Sequence, residues 1–163
     1  MAWTLSVPNS RTKKTLLEWA HEQMKHGVPR QVICDHLLAK DSSLMSLEEL
    51  EAASKAESEL FGVMVERNLK GKSLESAGKL DKAIELYEAN VVDWFSGNHP
   101  YDRLRIIYTK RKQYAEAIRV CRAFVTVADT LLEQGSKRGD LAPKREKFIQ
   151  WIEKLEQEIH GEP

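Results

Sequence analysis

The sequence predicts an all-α protein, on three observations. Leu, Ala, Glu, Lys and Ile recur at helical spacing between punctuating prolines and glycines, no stretch alternates apolar and polar residues as a half-buried strand does, and the chain aligns with itself at an offset of 34 residues. Each element can be justified in turn.

A first helix is expected from about Arg11 to His26, with Leu16, Leu17, Ala20 and Met24 on one side and Gly27 as its stop. Pro29 opens a second, to about Lys40, that buries Val32, Ile33 and Leu37. In "SLEE", residues 46–49, the Ser46 hydroxyl can accept from the first-turn backbone while Glu49 reaches back to the Ser46 amide, the pattern of a capping box. The helix that starts there either runs unbroken to Ala77 or breaks near Ser58 to Gly62, and the sequence leaves both open. Gly78 ends it. Asp81 is placed to cap the next helix, to about Phe95, which Gly97 ends. Asn98 and Pro100 start a helix to about Arg111, and a short turn through Gln113 leads to another that reaches about Glu133. "GSKRGD" is a loop. Pro143 then sits in the first turn of a last helix, on which Phe148, Trp151, Ile152, Leu155 and Ile159 form one stripe.

The 34-residue offset lays "GKLDKAIELYEANV" (78–91) over "KQYAEAIRVCRAFV" (112–125), pairing Leu80 with Tyr114, Ala83 with Ala117, Ile84 with Ile118, Leu86 with Val120, Ala89 with Ala123 and Val91 with Val125. Upstream, Leu74 pairs with Tyr108. In "YDRLRIIY" (101–108), Tyr101, Leu104 and Tyr108 have the spacing W-x-x-L-G-x-x-Y, and Ala117 and Cys121 follow as the small and the large residue of a second helix. In the first unit Gly71, Leu74, Ala83 and Tyr87 supply the complementary half. These residues resemble the tetratricopeptide repeat family, over roughly residues 64–131. The resemblance implies antiparallel helix pairs stacked in a right-handed superhelix, with units at about 64–97 and 98–131, a capping helix after them, and an N-terminal helical region over 1–60 whose helices at 29–40 and 46–60 fit a degenerate further unit. Arg105 stands where the pattern has Gly and must snorkel outward or splay the pair. Phe95 and Asp129 stand where the pattern ends in Pro, and Glu49 where the upstream unit would have Ala.

With 163 residues the chain is long enough for one well-buried domain without disulfides. Cys34 and Cys121 match no metal or redox spacing and read as free thiols in a reducing, cytoplasmic compartment. The start has no secretion-signal pattern, and no apolar run is long enough to span a membrane. Net charge is zero but unevenly spread: six basic against three acidic residues over 1–40, six against twelve over 41–97, and thirteen against ten over 98–163. A neutral total argues against whole-molecule attraction to nucleic acid.

Fragments that imitate chemistry fail on spacing. "GKS" (71–73) has Glu66 where a phosphate loop needs its first Gly, with no strand before it. "HEQMKH" (21–26) is one residue longer than a zinc-protease motif, so His26 turns about 140° from His21 on a helix. "CDH" (34–36) splays its side chains about 100° apart. His99 is read as a cap or surface group, and Tyr101, Tyr108, Tyr114 and the tryptophans Trp19, Trp94 and Trp151 as core. No metal, cofactor or catalytic constellation is expected, and the chain is read as non-enzymatic.

The remaining polar residues lie on the first helix of each unit. The family resemblance implies that these line a concave groove for a peptide or helix: Asn68, Lys72 and Ser76 in the first unit, and Asp102, Arg103, Ile106 and Lys110 in the second. Arg103, Ile106 and Lys110 are spaced to share a face. Asn68 and Lys72 resemble, in reversed order, the Lys and Asn with which chaperone-tail-binding members grip a terminal carboxylate. The basic run Arg103, Arg105, Lys110, Arg111, Lys112, Arg119 and Arg122 has only Asp102 and Glu116 as local counter-charges and suits an acidic partner segment. The expected function is therefore a protein-binding scaffold or adaptor, with homo-oligomerisation open. The alternative is a nucleic-acid-associated regulator reading DNA with a helix-turn-helix over 11–40, around Arg30 and Gln31.

Overall fold

The computed structural model describes residues 2–9, 12–40 and 46–161. Arg11, the expected start of the first helix, lies outside them. Among the described residues the regular elements are seven α-helices and no strand: α1 Lys13–Lys25, α2 Arg30–Lys40, α3 Leu47–Ser76, α4 Leu80–Val92, α5 His99–Lys110, α6 Tyr114–Glu133 and α7 Leu141–Gly161. None of them is long and apolar enough to cross a membrane. The chain divides into two compact units, Met1–Leu60 and Phe61–Pro163.

In the first unit, Thr12 caps α1 by accepting from the Thr15 amide, and Gly27, in the left-handed region, turns the chain toward α2. Leu16, Ala20, Val28, Ile33, Leu37, Leu47 and Leu50 form its core, while Leu17, Met24 and Val32 pack at its edge. At the start of α3 the Ser46 hydroxyl accepts from the Glu49 amide at 3.1 Å. The Glu48 carboxyl is held below the usual range by its own backbone amide and by hydrogen bonding from Arg30. The helix continues unbroken through Ser58 and Gly62.

The second unit is built from the later turns of α3 and from α4 to α7. Its core holds Ala83, Tyr87, Tyr101, Leu104, Ala117, Val120, Cys121, Phe124, Ala128, Leu141 and Phe148 with no exposed surface. The turns after α3, α4, α5 and α6 in it are all of one kind, and those after α3 and α5 stand 34 residues apart. After α3, the Lys79 amide donates to the Leu74 carbonyl at 2.8 Å with Gly78 at φ 74°; after α5, the Gln113 amide donates to the Tyr108 carbonyl at 2.8 Å with Lys112 at φ 56°. Both turns close a helix by the same bond and start the next one a residue later. This early restart corrects the expected cap at Asp81. Lys79 is the N-cap, and Asp81 already lies in the first turn, where it accepts from Arg111.

The packing of α3 on α4 follows from one small residue. A Cβ added at Gly71 would lie 2.5 Å from the ring of Tyr87, so the ring occupies the space that glycine leaves. Asn90, fully buried, donates from Nδ2 to the Met64 carbonyl at 2.8 Å, and Arg67 pairs with Asp93. The corresponding positions on α5 and α6 reverse the sizes, with Arg105 opposite Cys121. Arg105 does reach outward, but onto protein: its guanidinium lies 3.7 Å from the Trp151 ring of α7 and donates to Asp102.

The α4 helix ends at Val92, short of the expected Phe95. Trp94 stands in the left-handed region at φ 58° while the Phe95 amide returns to the Asn90 carbonyl. That turn places the Trp94 side chain mainly in solvent, against its reading as core, and Phe95 inside. Tyr101 and Tyr108 are buried as expected, Tyr114 half so. On α7, Phe148 and Leu155 are buried, Trp151 and Ile152 half-buried, and Ile159 is exposed.

Candidate functional site

Four of the seven expected groove residues come together, and they do so around three, Glu75, Tyr87 and His99, that the sequence reading did not place in the groove. Asn68, Lys72 and Glu75 lie on successive turns of α3, and His99, Asp102 and Arg103 on the first turns of α5. Nδ1 of His99 lies 2.8 Å from Oδ1 of Asn68, an acceptor, so the neutral ring carries its proton on Nδ1 and keeps Nε2 as an acceptor. The imidazole meets the Tyr87 ring edge-on at 5.7 Å. Tyr87 in turn donates to Glu75 at 3.1 Å, and Glu75 receives Nε of Arg103 on both oxygens, at 3.1 and 3.2 Å, with a further bond from the same guanidinium.

The electrostatics follow from this geometry. Hydrogen bonding from Arg103 holds the Glu75 carboxyl below its usual range, aided by Tyr87 and opposed by burial. Burial, then Lys72 and Arg103, push the His99 pKa down, partly offset by Glu75 and Asp102. Burial and the Glu75 carboxylate raise the Tyr87 phenol. The cluster thus holds Arg103 and Glu75 as a closed pair, a neutral imidazole, and the exposed ammonium of Lys72 at its rim.

The other three candidates extend along the same two helices. Ser76 is exposed at the end of α3, Ile106 is half-buried one turn beyond Arg103, and Lys110 is exposed at the end of α5. Close by, Arg105, Thr109, Tyr114, Trp151 and Lys154 line an open cleft of about 330 Å³. Tyr87 was read only as a packing residue and His99 only as a cap or surface group, and Glu75 was not singled out. Glu75 follows Lys72 by one helical turn, a spacing that signals a shared face once Lys72 is placed there.

The basic run is less available than its local sequence suggests. Arg103 is held by Glu75, Arg105 by Asp102, Arg111 by Asp81, Arg119 by Glu88 and Glu116, and Arg122 by Glu156. Most of these acids come from other helices. Arg30, the leading cation of the helix-turn-helix reading, is bonded to Glu48 and lies 3.5 Å from Glu51, and Gln31 donates to its neighbour Asp35. Carboxylates on the reading helix oppose phosphate.

His21 meets Glu51, His26 meets Glu22, and His36 meets the Val32 carbonyl. Among the described residues no three His, Cys, Asp or Glu side chains stand close enough to hold a metal ion. Burial pushes the Cys121 thiol up to about 12, which keeps it protonated. No known protein family, curated protein or solved structure matches this chain.

Proposed function

We propose that the chain is a non-enzymatic scaffold or adaptor whose helix pairs, 64–97 and 98–131, stack in the manner of tetratricopeptide repeats, and that its groove holds an extended peptide or an amphipathic helix. The observation that carries this reading is the recurrence, at the sequence's own offset of 34 residues, of two fully buried positions on the second helix of each pair, Ala83 and Tyr87 on α4 and Ala117 and Cys121 on α6. Small residues at a helix crossing let two backbones approach, and a repeated turn sets successive helices in a repeated arrangement.

Lys72, Ser76, Ile106 and Lys110 are the contact residues in this reading, with Asn68, Asp102 and Arg103 forming the wall. The Arg103–Glu75 pair is worth little as a lure for an acidic partner, since its charge is already matched. It acts by holding α5 against α3. Lys72 and Lys110, both exposed, attract the acidic side chains of the bound segment. The free thiols agree with a reducing, cytoplasmic setting.

A synthetic peptide array probed with the whole chain tests the assignment. The expected result is a set of acidic peptides retained by the native protein and lost by Lys72→Glu/Lys110→Glu, with circular dichroism unchanged. An array that retains nothing, or retention that the double variant leaves intact, rejects it.

A further inference from the structure

Arg105, standing where the first unit has Gly71, plays no part in the groove. At Gly71 the Tyr87 ring fills the space between α3 and α4. At Arg105 the side chain reaches instead to α7, where its guanidinium lies 3.7 Å from the centroid of the Trp151 ring. Beside this contact the helices leave an open cleft of about 330 Å³ between α5, the start of α6 and α7. That volume falls at the lower end of the roughly 300–1,000 Å³ of small-molecule sites. Arg105 and Thr109 line it one turn apart on α5, Tyr114 from the first turn of α6, and Trp151, Lys154, Leu155 and Glu158 from one face of α7.

The lining says what chemistry fits. Leu155 and the rings of Tyr114 and Trp151 offer apolar surface. Trp151 is held by Arg105 over its ring and by Phe148 edge-on at 4.9 Å, so this wall is preformed. Next to it stand donors with nothing to bond. Among the described residues Lys154 has no ion-pair partner and the Tyr114 hydroxyl no hydrogen-bond partner, while Arg105 gives Nε and Nη2 to Asp102 and leaves Nη1. The neighbouring Arg103, Arg111, Arg119 and Arg122 are each matched by a carboxylate. Glu158, the one acid in the lining, is exposed and forms no ion pair with Lys154. An apolar wall with unmatched cationic and hydroxyl donors suits a ligand that is aromatic at one end and anionic at the other.

We propose that this cleft is a binding site for an aryl-substituted carboxylate, its ring against Leu155, Tyr114 and Trp151 and its carboxylate accepting from Lys154, the Tyr114 hydroxyl and Arg105. This does not rest on the groove reading, since none of these residues is among the groove contacts Lys72, Ser76, Ile106 and Lys110.

Titration of the whole chain with 3-phenylpropionate, followed by NMR of the backbone amides, tests it. A second arm uses a blocked phenylalanyl-aspartate dipeptide, which carries the same two groups within a peptide, and the control is 3-phenylpropanamide, which lacks the charge. Saturable shifts centred on Thr109, Tyr114, Trp151 and Lys154 are expected from a charged probe at millimolar concentration, with the amide about tenfold weaker. The tighter of the two charged probes tells a free acid from a peptide source. Lys154→Glu, which reverses the charge, and Thr109→Phe, which fills the space, should each weaken binding about tenfold with circular dichroism unchanged, and Glu158→Gln should tighten it about threefold. No saturable shift from either charged probe, equal binding of acid and amide, or binding that Lys154→Glu and Thr109→Phe both leave intact overturns the proposal.

Discussion

Gly71→Ala should destabilise the second unit, although alanine is the better helix former. On propensity alone the substitution gains about 1 kcal/mol in a helix interior. Against this, the new Cβ would lie 2.5 Å from Cε1 of Tyr87 and 3.0 Å from Cδ1 and Cζ, whereas carbon atoms rest at about 3.5–4.0 Å. The ring must therefore retreat by about 1 Å. It has little room to do so, being fully buried with His99 at its edge, and its hydroxyl is anchored to Glu75 at 3.1 Å. Overpacking of this kind costs about 1–3 kcal/mol, and loosening the hydrogen bond adds about 1 kcal/mol. The net expectation is a loss of about 1–3 kcal/mol, or a fall in Tm of several degrees. Urea unfolding followed by circular dichroism measures it, and the decisive comparison repeats the substitution in a Tyr87→Leu background. There the obstacle is gone and Gly71→Ala should become stabilising by about 0.5–1 kcal/mol. If Gly71→Ala raises stability in the native background, the close contact of α3 and α4 is not what the glycine serves.

Asn90→Asp, nearly isosteric, should cost about 3 kcal/mol, because it replaces the donor to the Met64 carbonyl with a buried acceptor or charge; denaturant melts report it. His99 has a folded pKa below its ordinary 6.5, so the unfolded chain binds more protons in the window beneath that value. Its contribution is complete above pH 6.5 and declines as pH falls through the window, and a His99→Gln variant should show a flatter stability profile there. Glu75, also depressed, acts lower: its contribution is present above the ordinary carboxylate pKa of 4.5 and is lost as pH falls toward its folded value, a loss that Glu75→Gln should abolish. Cys121, fully buried and kept protonated, should react with a thiol reagent only as fast as the protein unfolds, so labelling that outpaces unfolding would contradict its placement.

The departures from the sequence reading have two causes. Asp81 was expected as a cap because it precedes an apolar run, but the bond from Lys79 to Leu74 restarts the helix before Asp81 is reached. Trp94 was read as core because it continues a helical stripe, and the chain leaves the helix two residues earlier. The basic run looked uncompensated because its partners Glu75, Asp81, Glu88 and Glu156 stand up to 34 residues away. The helix-end bonds span only five residues and turn on which residue takes the left-handed conformation, Gly78 or Trp94, whereas charge pairing between helices depends on what the fold brings close, which local spacing does not register.

By itself the sequence determined the helices, most of their ends, the unbroken or broken alternatives for α3, and which faces of α4, α5 and α6 turn inward, because a period of 3.6 residues and the left-handed preference of glycine act within a few residues of each other. The 34-residue offset that relates Ala83 to Ala117 was legible for the same reason. Tertiary structure alone decided that α3 runs through Gly62, that Arg105 rests on Trp151, and that Asn68, Lys72, Asp102 and Arg103 gather around Glu75, Tyr87 and His99. The cluster and the Arg105–Trp151 contact join residues of different helices, from 12 positions apart for Tyr87 and Glu75 to 46 for Arg105 and Trp151 (151 − 105), and their energies exist only once the helices have packed.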